Sequence, residues 1–159
     1  MIIDNTYFEK APIYITGIGN RKDDKPTPLA QSLIDSVNSY IAIYELIFLR
    51  NLLGEVLAAT AEKNPQIVAL LRNETAKTSP IANYVYFYWL RTHTTVGTPA
   101  GEKVPRGDYS DEASPRIRAV EVWNDMVRQC RILRPELVEL GAKPDYCSAI
   151  FEPANLFGL

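Results

Sequence analysis

Two long stretches of the chain repeat apolar residues at three- and four-residue steps, a spacing that predicts two long amphipathic helices. The first helix is predicted to begin at Thr27-Pro28, a capping residue followed by proline, and to end at Gly54. The second is predicted to begin in the same way at Ser114-Pro115 and to end at Gly141. Their apolar positions are Leu29, Leu33, Ile34, Val37, Ile41, Tyr44 and Phe48 in the first, and Ala119, Val122, Met126, Cys130, Leu133, Leu137 and Leu140 in the second.

A third helix is predicted over residues 79–95, with the sequence SPIANYVYFYWLRTHTT, and it is apolar or aromatic on nearly every side. Ser79 is a good N-cap, and Pro80 suits the first helical turn. A helix that is apolar all round has to be surrounded, and this one is too short to span a bilayer, which takes about 20 residues. Protein must therefore surround it. Its tyrosines and tryptophan carry polar groups that need hydrogen-bond partners. Either part of the helix reaches a subunit boundary, or the tyrosine hydroxyls lie at the rim of the core.

Residues that interrupt or end helices are expected to divide the rest of the helical region. A single helix over 28–53 would be long for a domain of this size, so a break is predicted near residues 38–40. Residues 55–63 and 65–72 predict two shorter helices separated by an Asn-Pro pair. Pro135 is expected to kink or restart the last helix.

The two ends of the chain lack helical periodicity. Residues 1–27 are predicted to be irregular apart from a short strand at 13–15. The tail, residues 143–159, has few helix signals but many apolar residues, so it is expected to pack on something. We therefore predict a mainly α, single-domain helical bundle (28–142) around the central aromatic helix, with an irregular N-terminal segment and an apolar C-terminal tail.

Residues 94–114 form a long connection with three glycines, two prolines and mixed charges. Connections of about twenty residues without periodicity are uncommon in compact domains and often carry function. We place partner or inter-subunit contacts in this loop and in the tail. The candidate residues are Val96, Gly97, Gly101, Val104, Arg106, Tyr109, Ile150, Phe151, Leu156, Phe157 and Leu159.

Composition and charge narrow the functional classes. The chain has 159 residues, a net charge of −2 and two cysteines, so it fits one domain without a basic nucleic-acid-binding surface or a disulfide framework. Its first residues lack a basic region followed by an apolar run, which predicts a protein that stays in the cytoplasm in which it is made. Cys130 lies on the apolar face of its helix and is predicted to be a core residue.

Candidate chemistry is sparse. His93 is the only histidine, which excludes a histidine-rich metal site, and its place at a helix end favours a capping role. Asp108, Asp111 and Glu112 cluster in the long loop but lack the spacing of an EF-hand. Gly17 and Gly19 lack the third glycine and the following helix of a nucleotide-binding loop. We therefore predict no catalytic residue, no metal, no cofactor and no enzyme activity.

The order and content of the segments resemble the head–tail connector (adaptor) proteins of tailed phages and prophages of Bacteroides-like hosts. The matching stretches are YELIFLRNLLG at 44–54, SPIANYVYFYWLRTHTT at 79–95, the loop through Gly97 and Gly101, AVEVWNDMV at 119–127 and IFEPANLFGL at 150–159. The resemblance covers most of the chain from about Tyr40 onward. The N-terminal segment, with its basic loop at 21–25, matches less clearly.

The resemblance implies a structural virion protein at the head–tail junction, assembled in the host cytoplasm. Such proteins form a closed, typically dodecameric, ring between the portal protein and a tail or further connector protein. Double-stranded DNA passes through the lumen of the ring without specific binding, and no membrane is involved. The alternatives are a small helical enzyme or ligand-binding domain with an aromatic pocket at Tyr84, Tyr88 and Trp89, and a monomeric interaction domain.

Overall fold

A computed structural model describes residues 1–10, 12–93, 96–98, 101–103, 115–145 and 147–155. Helices dominate this part of the chain and confirm the mainly α prediction: α1 Pro28–Leu53, α2 Glu55–Ala58, α3 Pro65–Leu71, α4 Pro80–His93 and α5 Pro115–Glu139. Short strands form three antiparallel pairs: β1 Glu9–Lys10 with β2 Ile13–Tyr14, β3 Arg21–Lys22 with β4 Lys25–Pro26, and β5 Val96–Thr98 with β6 Gly101–Lys103. Single 3₁₀ turns cover Asn5–Phe8, Ala61–Lys63 and Ala149–Phe151.

The first long helix, α1, is continuous, so the predicted break near residues 38–40 is wrong. Its start is as predicted, because the Thr27 hydroxyl accepts the backbone N–H of Ala30 at 3.3 Å. Ser39, a residue of the expected break, donates its hydroxyl to the carbonyl oxygen of Asp35 at 2.9 Å and is accommodated within the helix. With no proline or glycine between residues 29 and 53, weak helix formers alone do not interrupt a helix that packs along its length.

The region after α1 is less helical than the sequence predicts. The helix expected over residues 55–63 reduces to the single turn α2 and the 3₁₀ turn Ala61–Lys63. The next helix, α3, confirms its prediction to within one residue. Asn64 caps it, with its side-chain oxygen 3.0 Å from the backbone N of Gln66.

The aromatic helix α4 occupies the centre of the fold, as predicted. It packs against α1 on one side and against α5 on the other. Every residue from Pro80 to Phe87 is buried, whereas the last turn emerges to the surface. Ser79 caps the helix by accepting the N–H of Ile81 at 3.1 Å, and its own hydroxyl donates to the carbonyl of Leu71.

Helix α5 runs through Pro135 to Glu139, so it does not restart at the proline. It ends at Gly141, which has φ +93°. The N–H of Gly141 donates to the carbonyl of Val138, and the N–H of Ala142 donates to the carbonyl of Leu137, each at 2.9 Å. These two bonds form a Schellman motif, which confirms the predicted end of the helix.

One hydrophobic core unites the helices with both ends of the chain. The N-terminal segment, expected to be irregular, contributes seven buried apolar residues: Ile2, Ile3, Tyr7, Phe8, Ile13, Ile15 and Ile18. The predicted strand at 13–15 is present as β2. The tail contributes Ile150 and Phe151 to the same core. Residues 2–18 and residues 150–151 are therefore part of the folded bundle rather than appendages to it.

The segment after α5 also closes the end of α1. The N–H of Lys143 donates to the carbonyl of Leu53, and the N–H of Asp145 donates to the carbonyl of Asn51, each at 2.9 Å. These carbonyls belong to the last turn of α1, which has no helical donors left for them. The chain therefore passes close by Gly54, whose φ is +82°.

Candidate interaction surfaces

The described residues do not gather groups of the kind that carry metal or thiol chemistry. Within them, no cluster of three or more His, Cys, Asp or Glu side chains could hold a metal ion. Cys130 is fully buried, and burial raises the pKa of its thiol to about 12. A thiol with this pKa stays protonated at neutral pH and is a poor nucleophile. Cys130 is therefore a core residue, as predicted, and Cys147 lies apart from it at the surface.

His93 lies in the last turn of α4, where a capping role is predicted. Its Nδ1 is 2.9 Å from the carbonyl oxygen of Trp89, and the two rings stack with centroids 4.5 Å apart. With the proton on Nδ1, the imidazole donates to a carbonyl that lies near the end of the helix. This geometry confirms the capping prediction.

Of the three aromatic residues proposed as a ligand pocket, Tyr84 and Tyr88 pack against each other, whereas Trp89 stacks on Tyr86 and His93. The rings of Tyr44 and Tyr88 stack at 4.2 Å, and the rings of Tyr84 and Tyr88 meet edge to face at 4.9 Å. Phe48 closes the other side of Tyr84 at 5.2 Å. These ring contacts are part of the packing between α1 and α4.

The polar tips on α4 have mixed partners. The hydroxyl of Tyr86 donates to the carbonyl of Tyr14 at 3.1 Å, and that of Tyr84 lies 3.5 Å from the hydroxyl of Tyr88. Burial raises the pKa of both Tyr84 and Tyr86. The buried indole Nε1 of Trp89 has no acceptor among the described residues. The hydroxyls of Tyr84 and Tyr86 thus have hydrogen-bond partners within the chain. For these two residues, this favours the prediction that the hydroxyls lie at the rim of the core.

Helix α1 carries a second apolar face that nothing in the described chain covers. We call Ile43, Leu46 and Ile47 the α1 ridge; their side chains are 56%, 42% and 40% exposed. At about 100° per residue, the ridge lies on the opposite side of the helix from the buried residues Ile41 and Phe48. The ridge is therefore not an edge of the core but a separate apolar surface.

The same two-sided apolarity gives α1 the length and mean hydropathy of a helix that could cross a membrane, by length and composition only. Its inner side, however, packs on α4 through Tyr44 and Phe48 and carries the buried carboxylate of Glu45. A buried carboxylate and a fixed packing face are typical of the core helix of a bundle.

An open groove lies between α3 and α5, beside the turn at 73–78. Its volume is about 830 Å³, and its apolar lining comes from Pro65, Val68, Leu70, Ile132 and Leu133. Ile132 is 66% exposed at the rim of this groove. The groove continues along α5 past Leu140 into a space of about 350 Å³ that Glu136 and Glu139 border. The groove therefore has apolar walls from α3 and α5, polar residues of the turn at 72–78 at one end, and the two glutamates at the other.

The third cavity, of about 210 Å³, borders Glu45, the one carboxylate that is buried among the described residues. Both of its oxygens accept backbone N–H groups, from Ile2 at 2.8 Å and from Ile3 at 3.2 Å. Burial raises the pKa of Glu45, and the two N–H donors oppose this effect. Glu62 pairs with the Met1 amine at the mouth of the same cavity. The two glutamates at this cavity thus hold the first residues of the chain in place.

The predicted contact residues fall into three groups. Val96, Gly97 and Gly101 lie on the β5–β6 hairpin, where Gly97 pairs with Glu102 and Thr98 with Gly101. Ile150 and Phe151 are 1% and 7% exposed in the core, so the folded subunit does not present them to a partner. The remaining candidates lie outside the described residues: Val104, Arg106, Tyr109, Leu156, Phe157 and Leu159.

The tail is held in the core by hydrogen bonds as well as by packing. The indole Nε1 of Trp123 donates to the carbonyl of Glu152 at 2.9 Å, and Arg131 donates to the carbonyl of Phe151 at 2.6 Å. Asn124 exchanges two hydrogen bonds with the backbone of Ala154, at 2.9 and 3.0 Å. Helix α5 thus offers three side chains to the backbone of the tail. These hydrogen bonds explain why residues 150–155 pack on their own chain.

Sequence reasoning missed the α1 ridge, although a signal was present. The stretch 41–49 is apolar at nearly every position, so it cannot be assigned to a single helical stripe. We assigned one apolar face to this helix and left Ile43, Leu46 and Ile47 without a role. The same all-round apolarity that marks α4 as a surrounded helix also leaves α1 with apolar side chains on its exposed side.

No family model matches the chain, and no curated protein or solved structure matches it either.

Proposed function

We propose that this chain is a structural virion protein, a head–tail connector subunit that forms a ring between the portal and the tail of a tailed phage. The proposal takes its partners from the resemblance of the stretches at 44–54, 79–95, 119–127 and 150–159. The ring extends the channel through which double-stranded DNA passes. A net charge of −2 suits a lumen that should not hold DNA tightly.

One observation carries the proposal: α1 has an exposed apolar ridge opposite the face that packs into its own core. Exposed apolar side chains that cluster on one helix face mark contacts with other proteins. The inner face of α1 packs on α4, and none of the segments that the structure describes covers the ridge. A subunit that belongs to an assembly requires such a surface, whereas a monomeric enzyme does not.

The location of the protein in phage particles tests the proposal. Antibodies raised against the chain and coupled to gold should label particles of the encoding phage at the neck, between head and tail. Particles in which the label lies elsewhere, or particles without label, would contradict the assignment. Isolation of the portal together with the chain from disrupted particles gives a second, independent readout.

A matched pair of variants connects the ridge to this function. Ile47→Glu places a charge in the ridge, and Val56→Glu places the same charge at an isolated valine of α2 that is 89% exposed. We expect Ile47→Glu to give filled heads without tails and Val56→Glu to give complete phage. Circular dichroism of both purified variants shows whether the fold is kept. Normal phage from a folded Ile47→Glu protein would remove the ridge from the proposal.

A further inference from the structure

The subunit carries both an apolar ridge and an apolar groove, on different helices. The α1 ridge faces away from α4, and the groove lies between α3 and α5. We propose that the α1 ridge of one subunit packs into the α3–α5 groove of the next copy of this chain. This inference rests on the proposed function, because it assigns the contact that would join neighbouring subunits of the ring.

The groove has the size and lining that the ridge requires. A cavity of about 150 Å³ accommodates one benzene-sized apolar group. The groove of about 830 Å³ therefore has room for the side chains of Ile43, Leu46 and Ile47 together. Two of its walls are the side chains of α3 and α5, so a third helix can lay its ridge of residues between them. Val68, Leu70, Ile132 and Leu133 supply the apolar contacts.

Charge at one end of each surface selects the direction of the contact. Glu136 and Glu139 border the far end of the groove, and neither pairs with a cation among the described side chains. Arg50 lies one turn beyond Ile47 at the end of the ridge. Its Nε is 3.1 Å from Glu55, but both side chains are at least half exposed, so that pair is weak and leaves other guanidinium donors for a new partner.

The spacing of these residues agrees on the two surfaces. Arg50 follows Ile43 by two turns of α1, about 10 Å along the helix axis. Glu139 follows Ile132 by two turns of α5, also about 10 Å. If Ile43 packs against Ile132, Arg50 reaches Glu139, and the two helices run parallel. A contact between two ridges would instead cover both apolar faces but leave the groove and its acidic end without a partner.

A ridge-to-groove contact joins two different surfaces, so it repeats from subunit to subunit and closes into a ring when the rotation permits. Light scattering of the purified chain should therefore show assemblies larger than dimers. Ile47→Glu and Ile132→Glu should each remain monomeric, with self-association weakened by about a hundredfold or more. Val56→Glu, the matched control, should assemble like the unmodified chain.

Mixing the two defective variants gives the sharpest test. The Ile47→Glu chain keeps an intact groove and the Ile132→Glu chain keeps an intact ridge, so the mixture should form a one-to-one dimer that grows no further. If Ile132→Glu assembles normally by itself, the ridge does not use the groove, and the inference is overturned. The same holds if the mixture remains monomeric.

A charge exchange tests the direction of the contact. Arg50→Glu and Glu139→Arg should each weaken assembly about threefold or more, and the double variant carrying both should recover most of the loss. Absence of recovery would overturn the parallel register. Assembly through these surfaces without label at the phage neck would uphold the contact and contradict the connector assignment. Label at the neck, together with normal assembly of the Ile132→Glu variant, would uphold the connector assignment and contradict the contact.

Discussion

The carboxylate of Glu45 accepts a hydrogen bond from the backbone N–H of Ile2 at 2.8 Å, which ties the first residues of the chain to the middle of α1. The second carboxylate oxygen accepts the N–H of Ile3 at 3.2 Å. Arg72 adds a hydrogen bond from its guanidinium to the carbonyl of Ile2 at 2.9 Å. The N-terminal segment is therefore held by side chains from two parts of the bundle, and its isoleucines enter the core in a defined register.

Replacement of Glu45 by alanine should lower the free energy of unfolding by about 2–4 kcal/mol. The variant leaves two buried N–H donors without an acceptor, and each such loss costs about 1–3 kcal/mol. Urea denaturation followed by circular dichroism measures the change. Glu55→Ala is the matched control, because that carboxylate is exposed and its pair with Arg50 contributes less than about 1 kcal/mol. Equal effects of the two substitutions would contradict the anchoring role.

Phe151→Ala should destabilise the subunit by about 3–5 kcal/mol, the range for truncation of a buried phenylalanine. Phe151 is 7% exposed, and its carbonyl accepts two hydrogen bonds from Arg131. Val56→Ala, at an 89% exposed position, should change stability by less than about 0.5 kcal/mol. The denaturation midpoints of the two variants give the comparison. A Phe151→Ala protein as stable as the unmodified chain would contradict a core role for Phe151 and support the prediction that the tail contacts a partner.

Gly54→Ala should be more destabilising than Gly141→Ala, although both glycines have positive φ. A Cβ at Gly54 would lie 2.8 Å from the carbonyl oxygen of Lys143, whereas a Cβ at Gly141 would meet nothing within 4 Å. Both variants carry backbone strain on the order of 1–3 kcal/mol because φ is positive at each position. Only Gly54→Ala adds a clash with a backbone that closes the end of α1. Thermal denaturation should therefore give a lower melting temperature for Gly54→Ala than for Gly141→Ala. The opposite ranking would show that the segment at 143 moves freely.

Stability should fall as the pH rises from about 9 toward 12. Burial raises the pKa of Cys130 from its ordinary value of 9.0 to about 12, so the unfolded chain loses this proton before the folded chain does. In that window the folded state binds more protons than the unfolded state, and its stability decreases by about 1.4 kcal/mol per pH unit for one such group. The raised pKa values of Tyr84 and Tyr86 act in the same direction at higher pH.

Urea denaturation at pH 8 to 11 measures this dependence. Cys130→Ala should reduce the slope of unfolding free energy against pH above 9, because the buried thiol is gone. Cys147→Ala, which removes the exposed cysteine, is the matched control and should leave the slope unchanged. An unchanged slope in the Cys130 variant would show that its thiol ionises in the folded state as readily as in the unfolded one.

Local sequence signals are sufficient to predict the mainly α class, the central place of α4 and the helix ends at Thr27, Ser79, Gly54 and Gly141. These features depend on residues that are close together in the chain. A cap needs one side chain and an N–H two or three residues away, and the Gly141 motif needs only a glycine that tolerates positive φ. All-round apolarity likewise identifies a surrounded helix without knowledge of its partners.

Which apolar surfaces are covered depends on contacts between residues that are far apart in the chain. In α1, Phe48 and Ile47 are neighbours of similar hydrophobicity, yet packing against α4 buries the first and leaves the second exposed. Ile150 and Phe151 look equally suited to a partner, but Trp123, Asn124 and Arg131 hold the tail against its own subunit. Burial of Glu45 was also not predictable from local pattern, since its stabilising donors come from residues more than forty positions earlier. Such pairings depend on long-range contacts, which a reading of local sequence does not contain.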